Sequence, residues 1–272
     1  MKEKISITVD KQILKNVDSF IDRLIIRNRS QAIEVLLKNY LDKSKPAVIL
    51  LGGPEERLKI GEEYTPLVKI KGTTLIERAI KKLRKNNFKE IYIIARKKIL
   101  DSIFSLLKSG EYYGVKIRYI EETESGGSAQ SLKIIKKEIS TTFLVLYGDI
   151  YFDNIKIDDL WNFHIKNNTM STLSLISFGE PSIKGQVFLE GDKIVQFNQK
   201  PKPDKNNSYL VWCPICICEP EILQYPGKSL EGDIFPILAK KDLLRGYTSS
   251  EREIHIHNKQ DLENINKNPR VR

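Results

Sequence analysis

The chain has 272 residues, of which 40% are hydrophobic and 29% are charged, so it is long enough to bury one large core and a second, smaller one. No apolar run approaches the roughly 20 residues of a membrane-spanning helix, and the charged, alternating start of the chain is unlike a secretory signal peptide. We therefore expect a soluble, cytoplasmic protein with no membrane partner. The net charge of +10 is compatible with a nucleic-acid partner, but solvated lysine-rich surfaces explain it equally well.

The first segment, "KISITV" at residues 4–9, alternates polar and apolar side chains. This period of two predicts a half-buried strand, because successive side chains of a strand point to opposite faces. The polar face of this strand carries Lys4, Ser6 and Thr8.

Two helices are predicted after this strand, the first capped by Asp10 and the second by Ser30, because apolar residues follow each cap at helical spacing. The apolar residues of the first helix are Ile13, Val17, Phe20, Ile21 and Leu24. Those of the second helix are Ile33, Leu36, Leu37, Tyr40 and Leu41. One strand and two short helices leave an unpaired strand edge and too little core, so we expect this segment to dimerise through the strand.

The pattern over residues 4–42, including "NRSQAI" at 28–33, resembles the ribbon-helix-helix family of DNA-binding repressors. The resemblance implies a homodimer, or a higher even oligomer, whose paired strands enter the major groove of double-stranded DNA. The implied base-contacting residues are Lys4, Ser6 and Thr8, and the implied phosphate contacts are Arg29 and Ser30. The alternative is a dimerisation module that does not bind DNA.

A domain boundary is predicted near residue 45, in the short polar stretch "DKSKPA" at 42–47. It separates a ribbon-helix-helix-like domain at 1–45 from a larger domain at 46–272. In the larger domain, apolar runs alternate with helical patterns, which predicts a parallel sheet buried on both faces. The apolar runs lie at 47–53, 89–95 and 142–149, and the helical patterns lie at 74–86, 99–108 and 128–138.

Ligands of open α/β sheets bind beyond the carboxyl ends of the strands, so the residues after each run are functional candidates. Glycines at 52–53 allow close backbone approach to a phosphate, and Asp149 is placed to hold a metal ion.

The three cysteines lie together in "WCPICIC", at positions 213, 216 and 218. A Cys-x-x-Cys step is a zinc ligand pair in some proteins, but the nearest histidines are far along the chain. We therefore predict a buried strand in which cysteine acts as a small hydrophobic residue.

Over residues 47–266 the chain resembles the sugar nucleotidyltransferases, which join a nucleoside triphosphate to a sugar 1-phosphate and release pyrophosphate. The motifs that carry the resemblance are "LLGGPEERL" at 50–58, "GGSAQSL" at 126–132 and "FLVLYGDI" at 143–150. The resemblance implies an α/β fold of the GT-A or Rossmann-like type with a mixed, mostly parallel sheet.

The resemblance also assigns site residues by position. It implies catalytic positions at Arg57, Asp149 and Lys200, with Asp149 as a Mg²⁺ ligand, and the sequence indicates no other cofactor. The implied nucleotide- and sugar-binding residues are Gly52, Gly53, Gly126, Gly127, Gln130, Gly185 and Lys200.

The departures from the family pattern all fall in the reaction chemistry. Glu55 and Glu56 replace a Gly-Thr step of the phosphate loop, and Thr65 replaces a lysine. Further along the chain, Gln199 replaces a glutamate, residues 212–214 replace an Asn-x-Gly step, and His255 falls at the position of a late aspartate. Two carboxylates beside a triphosphate would oppose its binding at the low effective dielectric of a closed site.

The sequence therefore predicts a DNA-binding transcriptional regulator with an inactive nucleotidyltransferase-like domain that senses a nucleotide, sugar phosphate or nucleotide sugar. The alternative is an active sugar-1-phosphate nucleotidyltransferase that its N-terminal domain dimerises. A scaffold that binds neither DNA nor nucleotide is the third interpretation.

Overall fold

The computed structural model describes residues 5–23, 26–41, 45–124, 126–202, 208–250, 254–256 and 258–267. The chain divides into two compact units, residues 1–44 and 45–272. The helices are α1 (Lys11–Asp18), α2 (Arg29–Leu41), α3 (Leu75–Lys85), α4 (Lys97–Leu107), α5 (Ser128–Lys133), α6 (Ile157–Asn167), α7 (Phe235–Lys240) and α8 (Lys259–Lys267). The strands are β1 (Lys45–Leu51), β2 (Lys59–Ile60), β3 (Glu63–Tyr64), β4 (Lys69–Ile70), β5 (Thr73–Thr74), β6 (Phe88–Ala95), β7 (Lys116–Glu121), β8 (Phe143–Tyr147), β9 (Ile150–Tyr151), β10 (Ser171–Ser177), β11 (Gly185–Glu190), β12 (Lys193–Gln199), β13 (Leu210–Cys218), β14 (Leu244–Thr248) and β15 (Ile254–His255).

The N-terminal unit contains both predicted helices, but α1 ends at Asp18, before Phe20 and Ile21 of its predicted apolar stripe. Asp10 caps α1, because its carboxylate accepts a hydrogen bond from the backbone N–H of Gln12 at 2.7 Å. The cap of α2 is Asn28 and not the predicted Ser30, since the Asn28 side chain accepts from the N–H of Gln31 at 3.0 Å. Ser30 already lies within the first turn of the helix, where a side chain cannot cap the N–H groups ahead of it.

Among the side chains of this unit that the structure describes, the buried hydrophobic ones are Val17 and Ala32. Several large apolar side chains are about half exposed or more: Ile5, Ile7, Ile13, Phe20 and Leu37. Residues 5–10 make no ladder with any other described part of the chain. A strand at this position therefore needs a partner from a second chain, and the pairing stays a prediction; Lys4 and Leu24 lie outside the described residues.

The larger unit is built on a nine-stranded sheet in the order β10-β14-β12-β11-β13-β8-β1-β6-β7. Strands β8, β1, β6 and β7 are parallel, with Val48 of β1 opposite Tyr92 of β6 and Val145 of β8. Strand β13 joins this parallel part to the rest of the sheet by an antiparallel ladder with β8. The predicted mixed α/β sheet is confirmed, and the three predicted apolar runs form its parallel strands β1, β6 and β8. The parallel strand β7 and the parallel pair of β10 with β14 were not predicted.

Both faces of the sheet are covered, as continuous apolar runs require. Alternate residues of β1 enter two separate cores: Ile49 packs on the face covered by α3, α4 and α6, and Val48 packs on the face covered by α5 and α7. The predicted helix at 128–138 is shorter than expected, because α5 ends at Lys133 and turns continue to residue 138.

The predicted cysteine strand is confirmed as β13, in which Cys213, Cys216 and Cys218 are fully buried. In the described part of the chain, no helix is both long and apolar enough to cross a membrane.

Candidate functional site

A cavity of about 260 Å³ lies at the carboxyl ends of β1 and β8, and we call it the strand-end cavity. Its lining residues are Leu50, Leu51, Gly52, Gly53, Leu58, Gly127, Ser128, Ser131, Tyr147, Asp149, Ser229 and Glu231. The parallel ladder brings its two sides together, since Leu50 lies opposite Tyr147 and the N–H of Gly148 donates to the Leu50 carbonyl at 2.9 Å. The loop after β1 and Asp149 after β8 thus meet at one edge of the sheet.

Asp149 lines this cavity and carries an unpaired carboxylate oxygen. Its Oδ1 atom is buried and has no hydrogen-bond partner among the described residues. An unpaired buried carboxylate oxygen is costly, so this atom suits a bound cation or donor. Strand β15 lies alongside, because His255 pairs with Ile150 and the N–H of Ile256 donates to the Asp149 carbonyl at 3.1 Å.

The fit to Mg²⁺ rests on Asp149. Mg²⁺ prefers oxygen ligands and commonly uses one or two carboxylates with waters and substrate phosphates. His255, at the position of the family's second aspartate, offers nitrogen instead. Across the described ranges, no group of three or more His, Cys, Asp or Glu side chains is arranged to hold a metal ion. Asp149 is therefore the residue that would hold a magnesium ion at this site.

Glu122, a buried carboxylate directly after β7, accepts a hydrogen bond from the glycine loop. The N–H of Gly53 donates to Glu122 Oε2 at 2.8 Å, and the Ser131 hydroxyl donates to Glu122 Oε1. A Cβ atom on Gly52 would lie 2.7 Å from Glu122 Oε1 and 2.9 Å from Ser131 Oγ. Only glycine fits at position 52 while this arrangement is intact.

A second carboxylate, that of Glu231, forms the opposite wall. It accepts hydrogen bonds from the hydroxyl groups of Tyr147, of Ser128 at 2.6 Å and of Ser229 at 2.8 Å. Burial, and then the adjacent Glu231 charge, raise the pKa of Tyr147 well above its usual range. Tyr147 is therefore a neutral hydrogen-bond donor at physiological pH.

The charge of the strand-end cavity is negative. Asp149 and Glu231 line it and Glu122 lies beneath its loop, whereas the described lining includes no lysine or arginine. The sequence suggested Glu55 and Glu56 as the source of negative charge, and the structure places different carboxylates at the cavity. Glu55 lies in a 3₁₀ turn with its carboxylate 3.8 Å from Lys98 Nζ and 3.5 Å from the Tyr64 hydroxyl. Neither Glu55 nor Glu56 lines the cavity.

The predicted base-contacting turn is folded around a backbone carbonyl. The N–H groups of Ala129 and Gln130 both donate to Lys228 O, at 2.9 and 3.0 Å. A Cβ on Gly127 would lie 2.6 Å from the same atom, and one on Gly126 would lie 1.9 Å from Gln130 Oε1. Gly127 lines the cavity, whereas Gly126 and Gln130 do not.

Besides Gly126 and Gln130, three further predicted site residues do not line the strand-end cavity: Arg57, Gly185 and Lys200. Arg57 is exposed in the 3₁₀ turn after the glycine loop. Gly185 and Lys200 lie near each other at one end of the β11–β12 hairpin, where Gly185 pairs with Gln199 and the Lys200 N–H donates to the Lys184 carbonyl at 3.0 Å. The structure brings these two together, and neither of them lines the cavity with Asp149.

Sequence reasoning missed the residues that shape the site most, namely Glu122, Ser128, Ser131, Tyr147, Ser229 and Glu231. Glu122 carried a usable signal, because it is a carboxylate at the end of a strand. Glu231 carried none, since it lies in a short helical turn far along the chain from Tyr147.

In the N-terminal unit, the predicted DNA-contacting residues Ser6, Thr8 and Ser30 are exposed, and Lys4 lies outside the described residues. Arg29 is engaged within the unit, because its Nε and Nη2 atoms donate to the two Asp18 carboxylate oxygens at 2.7 and 2.8 Å. Contact between Arg29 and a DNA phosphate would require this ion pair to rearrange.

Comparison with known proteins identifies both units. A family model described as "Nucleotidyl transferase" matches residues 46–253. The chain belongs to the nucleotidyl transferase family. A model described as "Ribbon-helix-helix protein, copG family" matches residues 3–44, so the N-terminal unit is a ribbon-helix-helix domain. Both resemblances inferred from the sequence are confirmed.

Individual relatives agree with this assignment. The bifunctional protein GlmU of Methanococcus aeolicus is 31% identical over 164 residues, which are 59% of this chain and 37% of that protein. A mannose-1-phosphate guanyltransferase of Yarrowia lipolytica is 30% identical over 210 residues, which are 74% of this chain and 57% of that protein. The chain thus spans only about a third to somewhat over half of the length of these relatives.

A solved structure supports the fold of the nucleotidyl transferase domain. The crystal structure of a protein from Bacillus anthracis, described provisionally as a glucose-1-phosphate thymidylyltransferase in complex with sucrose, has a TM-score of 0.73 at 21% identity. The match covers 84% of this chain and 96% of that one. At this identity the likeness establishes the fold alone.

Proposed function

We propose that the protein is a cytoplasmic DNA-binding transcriptional regulator whose nucleotidyl transferase domain binds a nucleotide, sugar phosphate or nucleotide sugar as a signal. The ribbon-helix-helix domain supplies DNA binding as a homodimer. Its five exposed apolar side chains support dimerisation, because burial against a second copy removes them from water.

The observation that carries the sensing role is the charge of the strand-end cavity. Phosphoryl transfer is accelerated chiefly by cations and donors around the phosphates. The cavity lining that the structure describes supplies the Asp149 and Glu231 carboxylates and no cationic side chain. Such a cavity is suited to hold a hydroxyl-rich ligand, and poorly suited to neutralise the transferring phosphates.

The sugar or ribose part of the ligand would meet the acceptors and donors of Glu231, Ser128, Ser229 and Tyr147. These groups are already ordered by hydrogen bonds with one another, so little side-chain entropy is lost on binding. We include Mg²⁺ in the proposal, with Asp149 as its protein ligand; the ion would offset the negative charge of a phosphate bound here.

The test is made with the full chain. A duplex library selection should enrich one operator class, and binding to that operator should weaken steeply with salt. Nucleotides, sugar 1-phosphates and nucleotide sugars are then screened by thermal shift, and the ligand found should change operator affinity. Absence of salt-dependent duplex binding would overturn the regulator role.

An active sugar-1-phosphate nucleotidyltransferase is the second candidate, and one observation favours it. Glu55 is directed towards Lys98 and Tyr64, so the two glutamates of the loop do not fill the cavity. The deciding assay is Mg²⁺-dependent pyrophosphate release from the common nucleoside triphosphates with glucose, mannose and N-acetylglucosamine 1-phosphates. Turnover of about 1 to 10 per second, in the ordinary enzyme range, would establish this candidate over the sensor.

A further inference from the structure

A second cavity, of about 500 Å³, lies between α3 and the loop that joins β9 to α6. We call it the basic cavity, because its lining includes Arg78, Lys81, Lys82, Lys85 and Lys156. Asp153 is the one carboxylate in the described lining. It shares no lining residue with the strand-end cavity.

Four of these cations form one face of α3. Arg78, Lys81, Lys82 and Lys85 are spaced at i, i+3, i+4 and i+7, which places them along a single side of a helix. The opposite side of α3 is apolar and packs into the core of the sheet. Like charges at these spacings repel one another, so the arrangement favours a bound anion.

Two of the four cations are fixed in place and build the wall of the cavity. The Arg78 guanidinium donates to Asp153 Oδ2 at 2.8 Å and to the Ile70 carbonyl at 2.9 Å. Lys82 Nζ donates to the Phe152 carbonyl at 2.8 Å, and these contacts hold the loop after β9 against α3. The single lining carboxylate is thereby already paired.

The other three cations are exposed and form no salt bridge within the described ranges: Lys81, Lys85 and Lys156. The charge of Lys81 does act on the Glu77 carboxylate, one turn earlier on α3, and helps to lower its pKa. Favourable interaction with the helix macrodipole explains basic residues in the last turn of α3, which includes Lys82 and Lys85. Lys81 precedes that turn, and its interactions with the Glu77 charge and with the Tyr113 ring, at 5.9 Å, account in part for its position. Neither effect explains Lys156, which faces the cavity from another element.

We propose that the basic cavity binds a small, multiply charged phosphate-bearing anion, such as an oligophosphate or the diphosphate part of a nucleotide. The concave shape and the volume lie within the range of small-molecule sites. A cavity of about 500 Å³ matches the size of a small molecule, so we infer a small ligand and not DNA. This proposal does not depend on the function proposed for the strand-end cavity.

The test uses the full chain and inorganic tripolyphosphate as the probe, measured by titration calorimetry. The triple variant K81Q/K85Q/K156Q should weaken tripolyphosphate binding by at least about tenfold, because it removes three of five cations around the anion. The matched control K136Q/K137Q/K166Q removes the same charge from exposed lysines outside both cavities. It should change the affinity by less than about twofold.

Hydrogen exchange locates the bound probe. Tripolyphosphate should protect the backbone around residues 78–86 and 152–156 in the parent protein. An equal loss of affinity in both triple variants would reveal a general charge effect and overturn the proposal. Protection confined to residues 50–58 and 126–132 would also overturn it, as would a triple variant that loses duplex affinity while it retains tripolyphosphate binding.

Discussion

The backbone N–H of Gly53 donates a hydrogen bond to the buried carboxylate of Glu122, with 2.8 Å between the two atoms. In the sugar nucleotidyltransferase pattern, N–H groups of this glycine loop are expected to hold phosphates. Here one of them already serves an acceptor inside the protein, and that acceptor carries a negative charge at the edge of the strand-end cavity.

Glu122→Gln should therefore raise the affinity for nucleoside triphosphates by about threefold or more, because it removes a negative charge and keeps an acceptor for Gly53. Binding is measured by calorimetry with Mg²⁺ present. Glu121→Gln is the matched control, since Glu121 is the exposed neighbour at the end of β7. Equal affinities of the two variants would show that the Glu122 charge does not act on the cavity.

Gly52→Ala should lower the free energy of unfolding by about 1–3 kcal/mol, because the new methyl group meets the Glu122 and Ser131 oxygens within 2.9 Å. Glu122 cannot move aside without loss of its bond to Gly53. The measurement is urea denaturation, with Gly179→Ala as the control, since a Cβ there has no neighbour within 4 Å. The control should stay within about 0.5 kcal/mol of the parent.

The triple variant K4A/S6A/T8A should lose sequence preference for the selected operator and remain dimeric. The polar face of the first strand would contact base edges, whereas its apolar face and the helices would form the dimer core. Binding to operator and to scrambled duplex is compared at matched salt, with sedimentation as the check on the dimer. If the variant discriminates between the two duplexes as well as the parent does, the first strand does not contact base edges in the groove.

Asp233 should make a pH-dependent contribution to stability. Backbone N–H groups of Ser229 and Lys228 donate to its carboxylate at 2.9 and 2.7 Å and hold its pKa below the usual value. A lowered folded-state pKa stabilises the protein above about pH 4, the ordinary pKa of aspartate, and this contribution is lost as the pH falls through the folded value.

Asp233→Asn should therefore be less stable than the parent near neutral pH, and the difference should shrink in acid. Chemical denaturation from about pH 7 down to about pH 3 measures this difference. If parent and variant differ in unfolding free energy by the same amount at every pH, the carboxylate charge does not stabilise the turn. That turn matters to the site, because the Lys228 carbonyl anchors the first N–H groups of α5.

The periodicity of the chain was sufficient to predict the helices of the N-terminal unit and the central strands of the larger one. Period-two alternation before Asp10 and helical stripes after it indicated the ribbon-helix-helix domain, because this small unit has few ways to bury its apolar residues. Continuous apolar runs indicated β1, β6 and β8, and the residues after two of them, Gly52 and Asp149, do line the strand-end cavity. The predictions of the helices and of the sheet succeeded because local pattern determines strand and helix, and a parallel sheet then aligns the strand ends. The N-terminal strand stays a prediction.

Tertiary structure alone decided the charge of the strand-end cavity. Glu231 reaches Tyr147 across 84 positions of sequence, and Glu122 reaches the Gly53 loop across 69. Glu55, which the sequence suggested as the adverse charge, is directed towards Lys98 on α4 instead. No local pattern specifies such contacts, because the direction of a loop side chain depends on which distant elements pack beside it once the core has formed.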